Sequence, residues 1–310
     1  MTSTRRLLTL AFAIAATAGI IGALVGQRDA AGVILMRPVA VPILLGGIAA
    51  TGVGVLLGLW AWLSLVSGTG TPVPVRAGMR LFAVGFLGKF VPGRVWGVIA
   101  QAALGREVGV SRSRMAGIFV ANLAVVLLTG STVSLLVAPT LLGQGALWLS
   151  VPALVTVCVL LRPQLVNQTA VHLRRLLRRA EPGSRTEASR IRQAIVAQTL
   201  AWPIAGLHVW LLTILFGASP LTALPISIGG FALASIAGTA AVIAPDGVGV
   251  REVVLTAVLA TILPLPDAAL AAITSRLVCT VGEVLITVPM LFAHSRIAES
   301  RQETSHAFTA

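Results

Sequence analysis

Six stretches of the chain run for about 20 residues or more with almost no charge: 7–26, 39–66, 115–138, 142–161, 194–217 and 269–292. At a rise of 1.5 Å per residue, each is long enough as a helix to cross a hydrocarbon core of ~30 Å. In lipid every backbone polar group must be satisfied within the spanning structure, which leaves helices or a closed barrel. Continuous apolar runs of this length, without alternation of period two, select the helix. Composition agrees: charged residues are 11% of the chain and mean hydropathy is +0.95, whereas soluble domains carry about 25% charge. So little charge cannot cover a water-facing surface. The expected fold class is an all-α polytopic membrane protein, with 1–310 forming one integral membrane domain.

The net charge is +13, and Lys89 is the only Lys among 23 basic residues. Eight Arg fall within 162–193 and most others lie in short connections. That distribution is what the positive-inside rule produces. No basic–aromatic stripe or nucleic-acid module accompanies the charge, so no nucleic-acid partner is expected. Cys158 and Cys279 lie in separate apolar runs, fit neither a disulfide framework nor a zinc spacing, and read as small buried apolar residues. Arg5-Arg6 followed by an apolar run resembles a signal peptide, but the apolar character continues to Gly26. Residues 7–26 therefore read as an uncleaved first helix.

Two further apolar segments, 76–104 and 223–263, are broken near their middles by Val91-Pro92-Gly93-Arg94 and by Ala244-Pro245-Asp246-Gly247. Proline removes a backbone donor and glycine frees φ, so neither segment continues as one straight helix. Parity of the Arg clusters then fixes the topology. With Arg5 and Arg6 inside, 39–66 returns the chain to the inside, where Arg76 and Arg80 lie. If 76–104 is a re-entrant hairpin, Arg106, Arg112 and Arg114 stay inside, as do the Arg-rich loop and Arg296 and Arg301. Both termini, loop 105–114 and loop 162–193 are thus expected to be cytoplasmic, in a cytoplasmic (inner) membrane. The pattern of span, broken hairpin and span occurs over 39–138 and again, inverted, over 194–292. Inverted repeats with discontinuous helices place a polar site between the breaks.

Ionisable groups within apolar spans are functional candidates. Lys89 and Arg94 flank the first break; Asp246, Arg251 and Glu252 flank the second. With Pro92, Gly93, Gly247 and Gly249 they form the expected ligand-binding set. Half-helices starting near Gly93 or Gly247 would aim N–H groups at the site, where the cations would receive a phosphate head group. The alternative is that Arg94, Arg251, Glu252 and Glu283 neutralise one another and clamp the hairpins. Arg276 and Glu283, seven residues apart on one helical face, read as a structural pair or as coupling residues.

Other features have simpler readings. Trp60, Trp62 and Trp148 are expected to anchor at the membrane interface, and His208 to be a hydrogen-bonded core residue. The GxxxG spacings Gly22–Gly26, Gly54–Gly58 and Gly93–Gly97 require only close helix packing. No HExxH, G-x-S-x-G or Walker A motif is present. No catalytic residue, cofactor or metal is expected.

At the breaks, Lys89-Phe90-Val91-Pro92-Gly93-Arg94-Val95-Trp96 followed by Gly109-Val110-Ser111, and Ala244-Pro245-Asp246-Gly247-Val248-Gly249-Val250-Arg251-Glu252, resemble the two signatures of the lysylphosphatidylglycerol synthase transmembrane (flippase-like) family. The second signature usually reads Pro-Gly-Gly-x-Gly-x-Arg-Glu, so Asp246 stands where the family has Gly. The resemblance covers nearly the whole chain. It implies a stand-alone member without the aminoacyl-transferase domain, and movement across the bilayer of an anionic phospholipid or polyprenyl-phosphate-linked lipid. Many stand-alone members are encoded beside glycosyltransferases, so a glycosyltransferase partner is a further expectation. The rival readings are an intramembrane glycosyl or lipid transferase, with Asp246 or Glu252 as its carboxylate, and a non-transporting partner of a glycosyltransferase.

Overall fold

A computed structural model describes residues 36, 39–70, 72–91, 95–166, 168, 186–240 and 245–293. The expected first helix 7–26, the signature residues Pro92, Gly93 and Arg94, most of the Arg-rich loop and the C-terminal tail lie outside the described residues. Among the described residues every regular element is helical. In chain order these are α1 (Ala40–Ser67), α2 (Val75–Leu87), α3 (Val95–Gly105), α4 (Arg112–Ser134), α5 (Ala138–Leu142), α6 (Leu147–Leu161), α7 (Ala188–Leu215), α8 (Pro220–Ala240), α9 (Val250–Leu259) and α10 (Leu265–Leu291). Short 3-10 turns interleave them at Gly88–Phe90, Arg106–Val108, Gly143–Ala146 and Pro245–Gly247. Six described helical stretches are long and apolar enough to cross a membrane: α1, α4, Gly143–Leu161, α7, α8 and α10. The chain is an all-α polytopic membrane protein.

Glycine positions give the relative directions of the helices. A Cβ on Gly47 would meet His208, one on Gly54 would lie 2.8 Å from Ala205 Cβ, and one on Gly68 would meet Thr186 and Arg190. Numbers rise on α1 as they fall on α7, so the two are antiparallel and in close contact. Gly47 also faces Val278 and Gly52 faces Ile286, so α10 runs parallel to α1. Without a hydrophobic drive between helices in lipid, such small-residue contacts supply dispersion energy at close approach. The core divides accordingly. Leu65, Val66, Met115, Ala194 and Met290 cluster towards one end of the bundle. Ala40, Leu215, Phe216, Leu259 and Ala268 cluster towards the other.

The two broken segments form hairpins that enter from opposite ends. The first hairpin starts at the Gly68 end, where the N-terminus of α4 also lies. Its limbs, α2 of 13 residues and α3 of 11, extend only about 20 and 16 Å, short of the ~30 Å core. They pack backbone to backbone: a Cβ on Gly88 would fall 2.5 Å from Gly97 Cα, and one on Gly97 would fall 2.8 Å from Gly85 O. Gln101 Nε2 then ties the limbs by donating to Leu81 O at 3.0 Å. The second hairpin starts at the Leu215 end. Gly230 faces Val258, and Gly238 faces Gly247, which makes α8 and α9 antiparallel with their tip at Pro245–Gly247. Its limbs are unequal. The first, α8, has 21 residues and reaches about 31 Å, and the second has 10.

Two expectations need correction. Trp62 is not at an interface: it is 2% exposed and packs edge-on against Phe82 at a centroid distance of 6.1 Å. Of the three expected anchors, Trp60 and Trp148 are outward-facing, as an anchor must be. Cys158 is exposed on α6, so only Cys279 is a buried thiol.

Candidate functional site

The tips of the opposed hairpins touch each other, and they do so through charge. Lys89 sits in the turn that closes α2. Its Nζ lies 2.7 Å from Glu283 Oε1 on α10 and 3.3 Å from Asp246 Oδ1 on the second tip. Its ammonium is also 4.4 Å from the Phe86 ring centroid and 5.2 Å from that of Phe90, close enough for both ring faces to attract it. The three elements joined by this one ammonium are remote in sequence.

Asp246 is the hub from the other side. It is 9% exposed and is the only described non-glycine residue with positive φ, at 47°. Aspartate tolerates this left-handed conformation better than most side chains, at a modest cost. The conformation points its carboxylate back into the bundle. There, Oδ2 lies 3.5 Å from Arg276 Nη2 and 4.0 Å from Arg251 Nη1. Arg276 Nη1 in turn donates to Glu252 Oε1 at 2.5 Å. The other oxygen of Glu252 accepts the Gly249 N–H at 2.7 Å. A carboxylate at the third helical position thus reaches back to the start of α9, and that amide is turned to Glu252 rather than to the cavity.

Arg251 is 6% exposed. Its Nη2 donates to Cys279 Sγ at 3.0 Å, and its guanidinium lies 5.2 Å from the Phe231 ring centroid. Cys279 also lies 3.4 Å from His208 Nε2, which is 2.7 Å from Ser275 Oγ. His208 Nδ1 is in contact with Ala205 O. The histidine is fully buried, and its polar atoms are satisfied within the core, as a hydrogen-bonded core residue requires. Sequence reasoning missed the Cys279–His208–Ser275 group. The one available signal was that Ser275, Cys279 and Glu283 follow one another at helical spacing on α10.

These groups close one end of a cavity of about 280 Å³ between the hairpins and α1, α4, α7, α8 and α10. Thr51 and Gly58 from the middle of α1, and Gln198 and Ala205 from the middle of α7, border it, so it lies deep within the bundle. Phe82, Phe119, Leu123 and Phe231 supply an apolar wall, while Lys89, Asp246, Arg251 and Glu283 form a charged end.

Of the expected ligand-binding set, Lys89, Asp246, Gly247, Gly249, Arg251 and Glu252 are gathered at the two tips. Pro92, Gly93 and Arg94 lie outside the described residues. Gly247 is buried against Gly238, and Gly249 starts α9 with φ of 85°. Arg276 and Glu283 share a face of α10, as their spacing requires, but they do not pair with each other. Seven residues are about 10 Å along a helix, and each has its own partners: Arg276 holds Glu252 and Asp246, Glu283 holds Lys89. Among the described residues the cluster contains three cations (Lys89, Arg251, Arg276) and three carboxylates (Asp246, Glu252, Glu283). Those charges cancel.

The family model for the lysylphosphatidylglycerol synthase TM region matches residues 7–286. Among curated proteins, none matches the chain.

Proposed function

The chain belongs to the lysylphosphatidylglycerol synthase transmembrane family, and from that premise we propose that it moves a phosphate-bearing lipid across the cytoplasmic membrane. The observation that carries the proposal is the cavity between two opposed hairpin tips, largely apolar in its lining but bordered by Lys89, Asp246, Arg251 and Glu283. A lipid has the same division: its head group meets the ions while its acyl or prenyl chain stays against phenylalanine or lipid. The phosphate binds among Lys89, Arg94 and Arg251, displacing the carboxylates that pair with Lys89 and Arg251. The two span–hairpin–span units, 39–138 and 194–292, then rock about it. The substrate is an anionic phospholipid or a polyprenyl-phosphate-linked lipid, and a glycosyltransferase is a candidate source or recipient. A transferase reading fits less well, because Asp246 and Glu252 are both engaged by Arg276, which leaves neither placed as a free base.

Arg94 and Arg251 are expected to act on one phosphate. Hydrogen bonds to charged groups contribute about 1.5–3 kcal/mol, so either Arg→Ala substitution should weaken lipid binding roughly tenfold or more. The planar guanidinium fork suits phosphate better than an ammonium, so Arg→Lys should recover only part of the loss. A double-mutant cycle on lipid binding, with folding checked separately, should depart from additivity. Strict additivity, or unfolding without a specific binding defect, would identify a structural clamp instead.

The orientation is tested by labelling. Ser113 is at the N-terminus of α4 and Ser219 is in the connection between α7 and α8, at opposite ends of the bundle. With both termini cytoplasmic, an impermeant thiol reagent outside cells should reach Ser219→Cys and miss Ser113→Cys. The reverse pattern would invert the proposed orientation.

A further inference from the structure

Glu283 is 7% exposed and lines the cavity, and its Oε2 is buried with no hydrogen-bond partner among the described residues. Its other oxygen has one cation, Lys89, which it shares with Asp246. The remaining carboxylates are better served. Glu252 has Arg276 on one oxygen and the Gly249 N–H on the other. Asp246 lies within 4.0 Å of Lys89, Arg251 and Arg276. The charged form of Glu283 is therefore the least supported of the three.

Adding a phosphate monoanion that takes Lys89 changes the balance. The phosphate brings a further negative charge to the site, and Glu283 loses its ion-pair partner among the described residues. An unpaired buried carboxylate is unstable relative to its protonated form. We propose that Glu283 is the proton-binding residue of this site, and that it takes up one proton from the aqueous phase when a monoanionic head group binds. The proposal rests on the lipid-transport reading above. The proton resides on Oε2, where the new O–H donates to a phosphate oxygen in the cavity, and Oε1 is left as a neutral carbonyl acceptor. A carboxylate that would repel the phosphate thus becomes a hydrogen-bond donor to it. The charged and titratable groups around Glu283 are Lys89 from the first tip, Asp246 from the second, Arg251 and Glu252 from α9, Arg276 and Cys279 from its own helix, and His208 from α7. Of these, His208 and Cys279 are occupied with Ala205, Ser275 and Arg251.

The test is isothermal titration of the purified full chain in detergent with a short-chain phosphatidylglycerol, in two buffers of different ionisation enthalpy at one pH. Wild type should take up about one proton per lipid, and its affinity should fall about tenfold for each pH unit on the alkaline side. Glu283→Gln keeps the shape and a donor without the titration. It should bind with pH-independent affinity and take up no proton. Binding by wild type without proton uptake overturns the proposal and leaves the lipid reading intact. Proton uptake that persists in Glu283→Gln also overturns it and moves the proton to Asp246. If wild type binds no anionic lipid at any pH, the lipid reading fails and the proposal falls with it.

Discussion

Lys89→Met should be among the most destabilising single substitutions in the chain, at about 3–5 kcal/mol, the range for breaking a buried ion pair by removing one partner. Among the described residues Lys89 is the one cation that joins both hairpin tips and α10, and its loss leaves the carboxylates of Glu283 and Asp246 facing one another without it. Thermal unfolding in a mild detergent should show a large fall in Tm, accompanied by loss of lipid movement in reconstituted vesicles. Lys89→Arg should retain part of the stability, limited by fitting a wider group between Phe86 and Phe90. The double variant Lys89→Met with Glu283→Gln should recover much of the loss, because the carboxylate left behind causes much of the damage. A Lys89→Met protein as stable as wild type would mean that water already solvates the site.

The second large effect is steric. Gly247 has φ of 68°, and a Cβ there would stand 2.5 Å from Gly238 Cα, a backbone atom that cannot swing aside. Gly247→Ala combines left-handed strain with overpacking, about 3 kcal/mol or more in total. Gly109 is the internal control. It has φ of 79° but nothing within 4 Å of an added Cβ, so Gly109→Ala should cost only the conformational part, about 1–2 kcal/mol. Unfolding of both variants under the same conditions separates the two contributions. Equal losses would show that the second tip does not press on α8.

Much of this architecture is legible in the sequence because lipid leaves few choices. Pro92-Gly93 and Pro245 to Gly247 mark the breaks, and Arg parity is what leads to the expectation of re-entrant, opposed hairpins. The same residues carry the family resemblance. What sequence does not give is partnership. Lys89 and Glu283 are 194 residues apart, and nothing local identifies one as the counter-ion of the other. Helical spacing placed Arg276 and Glu283 on one face, yet that information says nothing about which neighbouring element lies opposite each. Trp62 was misassigned because composition alone cannot separate an aromatic residue that faces lipid headgroups from one that fills a helix crossing.

The glycine contacts within each hairpin have a mechanical consequence. Gly88 on Gly97, and Gly238 on Gly247, join limbs through backbone surfaces, and steric contact of that kind does not weaken when the surroundings become wet. Between the tips the described link is ionic, Lys89 to Asp246 at 3.3 Å. Attraction between such charges falls roughly fourfold as the effective dielectric rises from about 20 to 80. Hydration therefore acts selectively, loosening the joint between the hairpins while leaving each hairpin stiff. Water entering the cavity works as a lubricant for a hinge whose two arms it cannot bend.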